Sequence, residues 1–226
     1  MKILCVDTSG PSCSVAIAQD NKLIYEALVE NKLTHSVNLM PMVEDAFQKS
    51  SLLIADMDYF AAVTGPGSFT GVRIGVSAVK GMARAQNKPC IAVNALDAYA
   101  YSFAGRSQLV CAMRDARNKQ VYAAVYKDGQ KLLDYSALAL DELFSKLKSY
   151  NETCLFVGDG AFPYADDIIC ALKDKALIAP LHLNVLRASS AAAIALKHID
   201  KAVPSEHISP FYLRKPQAER ELNKNA

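Results

Sequence analysis

The residues able to hold chemistry in this chain fall in a few short stretches. The first is Asp7-Thr8-Ser9, which closes the first apolar run and gathers one carboxylate and two hydroxyls in a turn. At the end of a buried strand such a set can face the phosphates and metal of a nucleotide. The same residues also make an ordinary tight turn, because Asp and Ser side chains bond neighbouring backbone amides, and the local sequence favours that reading. The second stretch is Gly65-Pro66-Gly67-Ser68-Phe69-Thr70-Gly71-Val72-Arg73-Ile74-Gly75. Glycines after an apolar run let the chain turn sharply and bring consecutive amides to a helix start, which favours an anion there. Gly65, Gly67 and Ser68 therefore join Asp7, Thr8 and Ser9 as candidates for lying near a nucleotide. The run is neither the dinucleotide fingerprint nor a P-loop, since Gly67 is followed by Ser-Phe-Thr and no Gly-Lys-Ser/Thr occurs.

Metal and redox chemistry have little support. His35 precedes a helical pattern, but the position one turn on, where a second ligand belongs, is Leu39. His182, His198 and His207 show no matching spacing. The six cysteines are scattered, mostly among apolar neighbours, and read as small hydrophobes in a reducing compartment. No nucleophile elbow or Ser-His-Asp set is recommended by its context.

These stretches are positioned by a regular succession of elements. Ile3 to Asp7, Cys13 to Ala18 and Leu23 to Val29 read as strands joined by tight turns. Ser36 to Phe47 carries Leu39, Met40, Val43 and Phe47 at helical spacing, with Thr34 or Ser36 as its cap. Tyr59 to Thr64 is a buried strand, Thr70 to Gln86 a second helix and Cys90 to Val93 a strand, after which Asn94 caps a short helix. Beyond Gly105 the order recurs. Leu109 to Met113, Val121 to Tyr126 and Lys131 to Tyr135 are strands, Asp141 to Lys148 a helix and Cys154 to Val157 a strand, followed by a helix after Gly158-Asp159-Gly160. A strand near Ala176 to Ala179 and a Ser189-capped helix close the chain. Three hairpin-linked strands and then αβα, twice over, is the order of the ribonuclease-H-like duplication of actin, hexokinase and Hsp70 ATPase domains. The expected architecture is α/β with two such lobes, residues 1–104 and 105–226, and a cleft between them.

The second helix is unusual in composition. Gly71, Gly75, Ser77, Ala78, Gly81 and Ala85 are small, while Val72, Val76, Val79 and Met82 are apolar. A helix glycine costs about 1 kcal/mol relative to alanine, so close backbone approach must offset the loss, against either the sheet or another subunit. Apolar residues around most of the circumference suggest burial on more than one side.

Composition sets the remaining bounds. Of 226 residues, 51% are hydrophobic and 21% charged, enough to build a core in each lobe. With 25 basic and 23 acidic residues the chain has no field that implies nucleic-acid binding, so any contact with nucleic acid would be local or made by a partner. The interrupted basic tail Arg214, Lys215, Arg220, Lys224 reads as a solvated terminus. No secretory leader or apolar run of about 18 residues is present, and a cytoplasmic protein without a membrane span is expected.

Together Ile3-Leu4-Cys5-Val6-Asp7-Thr8-Ser9, the Gly65 to Gly75 run and Pro210-Phe211-Tyr212-Leu213-Arg214 followed by Ala218-Glu219 resemble the TsaB family, formerly grouped with glycoproteases. The resemblance covers essentially the whole chain. It implies a non-catalytic partner of the longer paralogue TsaD, in which a His-x-x-x-His pair holds the metal. The equivalent stretch here, His35-Ser36-Val37-Asn38-Leu39, lacks one ligand. It further implies work with the ATPase TsaE in threonylcarbamoyl transfer to the adenosine beside the anticodon of tRNA. Pairing would run through the first-lobe helices, at Leu39, Met40, Val43 and Phe47 and at Val72, Val76, Val79 and Met82, with a homodimer when the chain is alone. ATP and metal would belong to the partners, with a nucleotide at the joint surface as a further option. The competing reading is a small phosphotransferase or nucleotide hydrolase of the actin and sugar-kinase superfamily.

Overall fold

The computed structural model describes residues 1–214; the tail residues Lys215, Ala218, Glu219, Arg220 and Lys224 lie outside them. The first half forms β1 (Lys2–Asp7), β2 (Cys13–Gln19), β3 (Lys22–Val29), α1 (His35–Ser50), β4 (Tyr59–Gly65), α2 (Phe69–Ala85), β5 (Cys90–Asn94) and α3 (Ala95–Tyr101). The second forms β6 (Leu109–Asp115), β7 (Gln120–Lys127), β8 (Gln130–Ala139), α4 (Leu140–Tyr150), β9 (Cys154–Val157), α5 (Ala165–Leu172), β10 (Ala176–Ile178) and α6 (Ala188–Lys197). The two five-stranded sheets run β3-β2-β1-β4-β5 and β8-β7-β6-β9-β10, the same order twice. In each, hairpins join the first three strands antiparallel and the last two add parallel. This is the duplicated ribonuclease-H-like topology.

Alternation along the strands assigns each sheet two buried faces. On β1, Ile3 and Cys5 enter a central core, while Leu4 and Val6 enter an outer core beneath α1 and α2. On β6, Val110 and Ala112 face the centre, and Leu109, Cys111 and Met113 face α4 and α5. The central core is filled by α3 and α6. α6, from the end of the chain, packs on β1 and β2, whereas α3, from the first half, packs on β6 as well as on β4 and β5. The result is five layers, with a helix pair shared between the sheets.

Caps differ in detail from those the sequence suggests. Asn94 does cap α3, accepting from the Leu96 amide at 2.9 Å. Thr34 takes the N-cap place of α1, but its hydroxyl pairs with that of Ser36 at 3.1 Å and caps no helix amide. Ser189 lies inside α6 and donates to the Glu26 carboxylate of β3 at 2.5 Å, tying the last helix to the first sheet.

The small residues of α2 answer the packing question in two ways. A side chain at Gly71 would run into the Thr8 carbonyl and one at Gly75 into the Thr8 hydroxyl at 2.5 Å, whereas one at Gly81 would meet nothing. Close approach at Gly71 and Gly75 is therefore internal, against the β1–β2 turn. Gly75→Ala is expected to cost about 1–3 kcal/mol by overpacking, while Gly81→Ala should gain roughly 0.5–1 kcal/mol. Urea denaturation of both variants against the parent reads the opposite signs.

Candidate functional site

The C-terminal ends of β1 and β6 meet at a cleft of about 690 Å³ between the lobes. Its floor is lined by Ser9 and by the Arg114 side chain, only 2% exposed, with Asp7 and Thr8 buried behind Ser9. The Ser9 amide and hydroxyl both donate to Asp7 Oδ1, at 2.8 and 2.5 Å, closing the expected Asp turn. Arg114 then joins the lobes. Its Nη1 donates to Ser9 Oγ at 2.6 Å and to the Pro66 carbonyl at 3.0 Å, both in the first lobe. Its Nε and Nη2 donate to Asp159 Oδ2 at 3.1 and 2.7 Å in the second. Burial alone would weaken its hold on the proton, but the charges of Asp159 and Asp7 and the nearby Tyr99 outweigh it and keep the guanidinium cationic.

Asp7 is less well served. Its Oδ2 is buried without a partner, and burial raises its carboxyl above the ordinary range, against the lowering influence of Arg114 and the bonds from Ser9.

The glycine run serves the same junction. Ser68 caps α2 by accepting from the Gly71 amide at 3.2 Å, and its own amide donates to the Ser9 carbonyl at 2.8 Å. Gly67 lets the two turns touch, since a side chain there would strike Ser9. Gly65 has φ +117°, and a side chain there would press on the Phe211 carbonyl. The Ser68 amide, which could otherwise meet a phosphate, is consumed by the fold. Thr8 Oγ1 donates to the Gly71 carbonyl at 2.7 Å, and His35 Nε2 donates to the Gly10 carbonyl at 2.8 Å. His35 is thus a buckle between α1 and the β1–β2 turn, and Leu39 faces the core. Among the described residues no group of three or more His, Cys, Asp or Glu is arranged to hold a metal. Asp159 is committed to Arg114 and Asp7 Oδ1 to Ser9, which leaves Asp7 Oδ2 as an uncommitted carboxylate oxygen; one such buried oxygen does not make a metal site.

The cleft mouth is crossed by the chain after Ile208. The Phe211 amide donates to the Thr64 carbonyl at 2.8 Å, and the Tyr212 ring stacks on Phe69 at 4.8 Å. Arg73 lies 3.7 Å over Phe69 and donates to the Tyr212 hydroxyl at 3.0 Å, while Phe211 meets Tyr135 of the second lobe edge-on at 5.7 Å.

The helix residues expected at a partner surface lie elsewhere. Leu39, Val43, Val72, Val76, Val79 and Met82 are enclosed in the outer core of the first lobe, and Phe47 packs half-buried against it. Of the eight, Met40 alone is exposed, at 50%. This corrects the sequence reading: a stripe of that width is what the helix spends on its own sheet, and of these enclosed side chains Val76 reaches a surface groove only by its edge. The exposed apolar residues here are Val37 and Met40, one turn apart on α1, and Leu33 in the bend that leads into it. Sequence reasoning also passed over Arg114, Asp159 and Tyr212. An arginine closing an apolar strand, in the second-half place that Asp7 holds in the first, was the available signal.

Comparison with known proteins agrees with the fold. A family model described as TsaD, tRNA N6-adenosine threonylcarbamoyltransferase, matches residues 30–222. The chain is 29% identical over 223 residues to the tRNA threonylcarbamoyladenosine biosynthesis protein TsaB of Bacillus subtilis, covering 97% of this chain and 96% of that protein. The solved structure of YeaZ from Pseudomonas aeruginosa superposes with a TM-score of 0.74 at 27% identity, over 94% of this chain and 99% of the other. The chain belongs to the TsaB (YeaZ) family. An activator of 2-hydroxyisocaproyl-CoA dehydratase from Clostridium difficile shares the fold alone, with a TM-score of 0.53 at 10% identity over 88% of this chain and 96% of the other. No helix among the described residues is long and apolar enough to cross a membrane.

Breaking the clamp leaves partners buried and unpaired, so Arg114→Ala is expected to cost about 3–5 kcal/mol in urea denaturation. The raised Asp7 carboxyl contributes stability below the ordinary carboxylate range that is lost as pH rises through its raised value. The melting temperature of Asp7→Asn minus that of the parent should therefore increase with pH across that window; a flat difference would contradict the assignment.

Proposed function

We propose that this chain is a binding subunit without chemistry of its own, acting in threonylcarbamoyladenosine biosynthesis by holding the catalytic paralogue TsaD, with the ATPase TsaE in the same assembly. The observation that carries this reading is the Arg114 guanidinium, whose bonds to Ser9, Pro66 and Asp159 take up the polar groups that nucleotide chemistry would need. Relatives named for this pathway support the setting. In this reading tRNA is met through the partner, ATP and metal belong to the partner subunits, and any nucleotide contact here is at the joint surface.

The docking surface in this reading is the outward side of α1 and α2. Leu33 and Val37, each 56% exposed, and Met40 form an apolar line that water covers poorly. A pairing of standard size would bury about 1,600 Å² in total, and a second copy of the chain would use the same face when the paralogue is absent. The unpartnered Asp7 oxygen is the one feature that favours the rival reading, a small phosphotransferase. That reading requires Arg114 to leave the floor.

A charge in place of Val37 or Met40 would be buried unpaired in the pair. Val37→Asp with Met40→Asp should weaken association with the paralogue roughly hundredfold, at unchanged melting temperature. Co-purification and calorimetry check this, and undiminished association would remove the docking face from consideration.

A further inference from the structure

The outward side of α2 carries a second feature beside the apolar line, and its interpretation rests on the docking reading above. Arg73, Ser77, Lys80 and Arg84 follow one another at intervals of four, three and four residues, which sets them in one row along the helix. α2 contains no Asp or Glu at all. None of the three cations forms an ion pair among the described residues. Arg73 is held by the Tyr212 hydroxyl and the Phe69 ring, and Lys80 donates to the Glu206 carbonyl at 2.8 Å, so two of the heads are fixed in place by neutral partners.

Beside this row runs a groove of about 400 Å³ between α2 and the segment from Ile208 to Tyr212. Its apolar wall includes Val76, Ile208 and Pro210, and Arg73 and Lys80 stand along it. On the other flank, half-buried Ile74 and Ala78 and open Gly81 separate the cations from α1. The face thus has an apolar line on α1, a shallow strip of small residues, then a cationic row beside an apolar slot. The carboxylates that accompany it are Glu44 on α1 and Glu206, which stands beside Lys80 and near Arg84; neither is ion-paired among the described residues.

We infer that this face selects a carboxylate-bearing helical surface of the paralogous subunit over a second copy of the chain. At 1.5 Å per residue, Arg73 and Lys80 are about 10 Å apart along the axis and Lys80 and Arg84 about 6 Å. The matching partner carries carboxylates at the same spacing, seven and four residues apart on one helix face, and seats an apolar side chain in the slot. A second copy brings a row of cations and no carboxylate on the matching helix. Its apolar line still attracts, but the rows oppose the approach. Self-pairing and mixed pairing then respond to salt in opposite directions, because screening removes a repulsion in one and an attraction in the other.

The experiment measures the dissociation constant of the full chain with the paralogue of the same organism, and its self-association by sedimentation, between roughly 0.05 and 0.5 M NaCl. Mixed pairing is expected to weaken about tenfold or more over that range while self-pairing strengthens. Lys80→Glu with Arg84→Glu should weaken mixed pairing about tenfold to hundredfold at low salt and flatten its salt response. The neutral pair Lys80→Gln with Arg84→Gln should fall between, and it replaces the reversed pair if that variant melts early. Mixed pairing that ignores both salt and the charge changes, but is broken by Val37→Asp with Met40→Asp, would overturn the inference and leave the docking reading intact. Mixed pairing indifferent to all of these variants would overturn the docking reading itself.

Discussion

A guanidinium removed from water must spend its N–H donors on protein, and the places where Arg114 spends them decide what the cleft is. Two go to the first lobe, at Ser9 and Pro66, and two to Asp159 in the second. The Ser9 hydroxyl, which nucleotide enzymes would direct at phosphate, here accepts from Arg114 and donates to Asp7. A buried pair of this kind is a weak source of net stability but a strong source of specificity, since losing either partner leaves the other stranded. It holds the lobes in one relation and leaves Asp7 with an oxygen that no group satisfies.

A scaffold that meets other subunits benefits from such fixity. The helices α3 and α6 exchange between the halves, Glu26 of β3 bonds Ser189 and Arg187 at the start of α6, and the segment from Val203 to Tyr212 returns to β5, α2 and the end of β4. Each lobe is therefore completed by chain from the other half. α1 and α2 have their inner sides committed to the first sheet, and the outer side of α2 is flanked along one edge by the returning segment that holds Arg73 and Lys80. The same glycines that seat α2 against Thr8 fix its outer row of Arg73, Lys80 and Arg84 relative to the cleft floor.

Much of the fold was legible because both signals that build it are local. Short apolar, β-branched runs between turns marked β1, β2, β4 and β6, Asn94 announced α3, and the recurrence of element order after Gly105 showed the duplication. The exchange of α3 and α6 was not legible, since an alanine-rich helix such as α6 looks alike whichever sheet it covers. Neither was the orientation of α1 and α2. Leu39, Val43, Val76 and Met82 carry the periodicity of any buried face, and periodicity does not say whether the burying surface belongs to the same chain. The Asp7-Thr8-Ser9 turn and the glycine run were found as a site, but their partner Arg114 lies 105 residues from Ser9, a pairing that only the folded chain brings together.

If the cleft is closed to nucleotide chemistry by its own arginine, the isolated chain has no reason to hold magnesium-ATP. Titration calorimetry of the purified full chain with ATP and magnesium tests this directly. Heat indistinguishable from dilution is the result expected of a subunit that works by holding others. Micromolar magnesium-dependent binding accompanied by phosphate release would contradict it and return Asp7 to the role of a catalytic carboxylate.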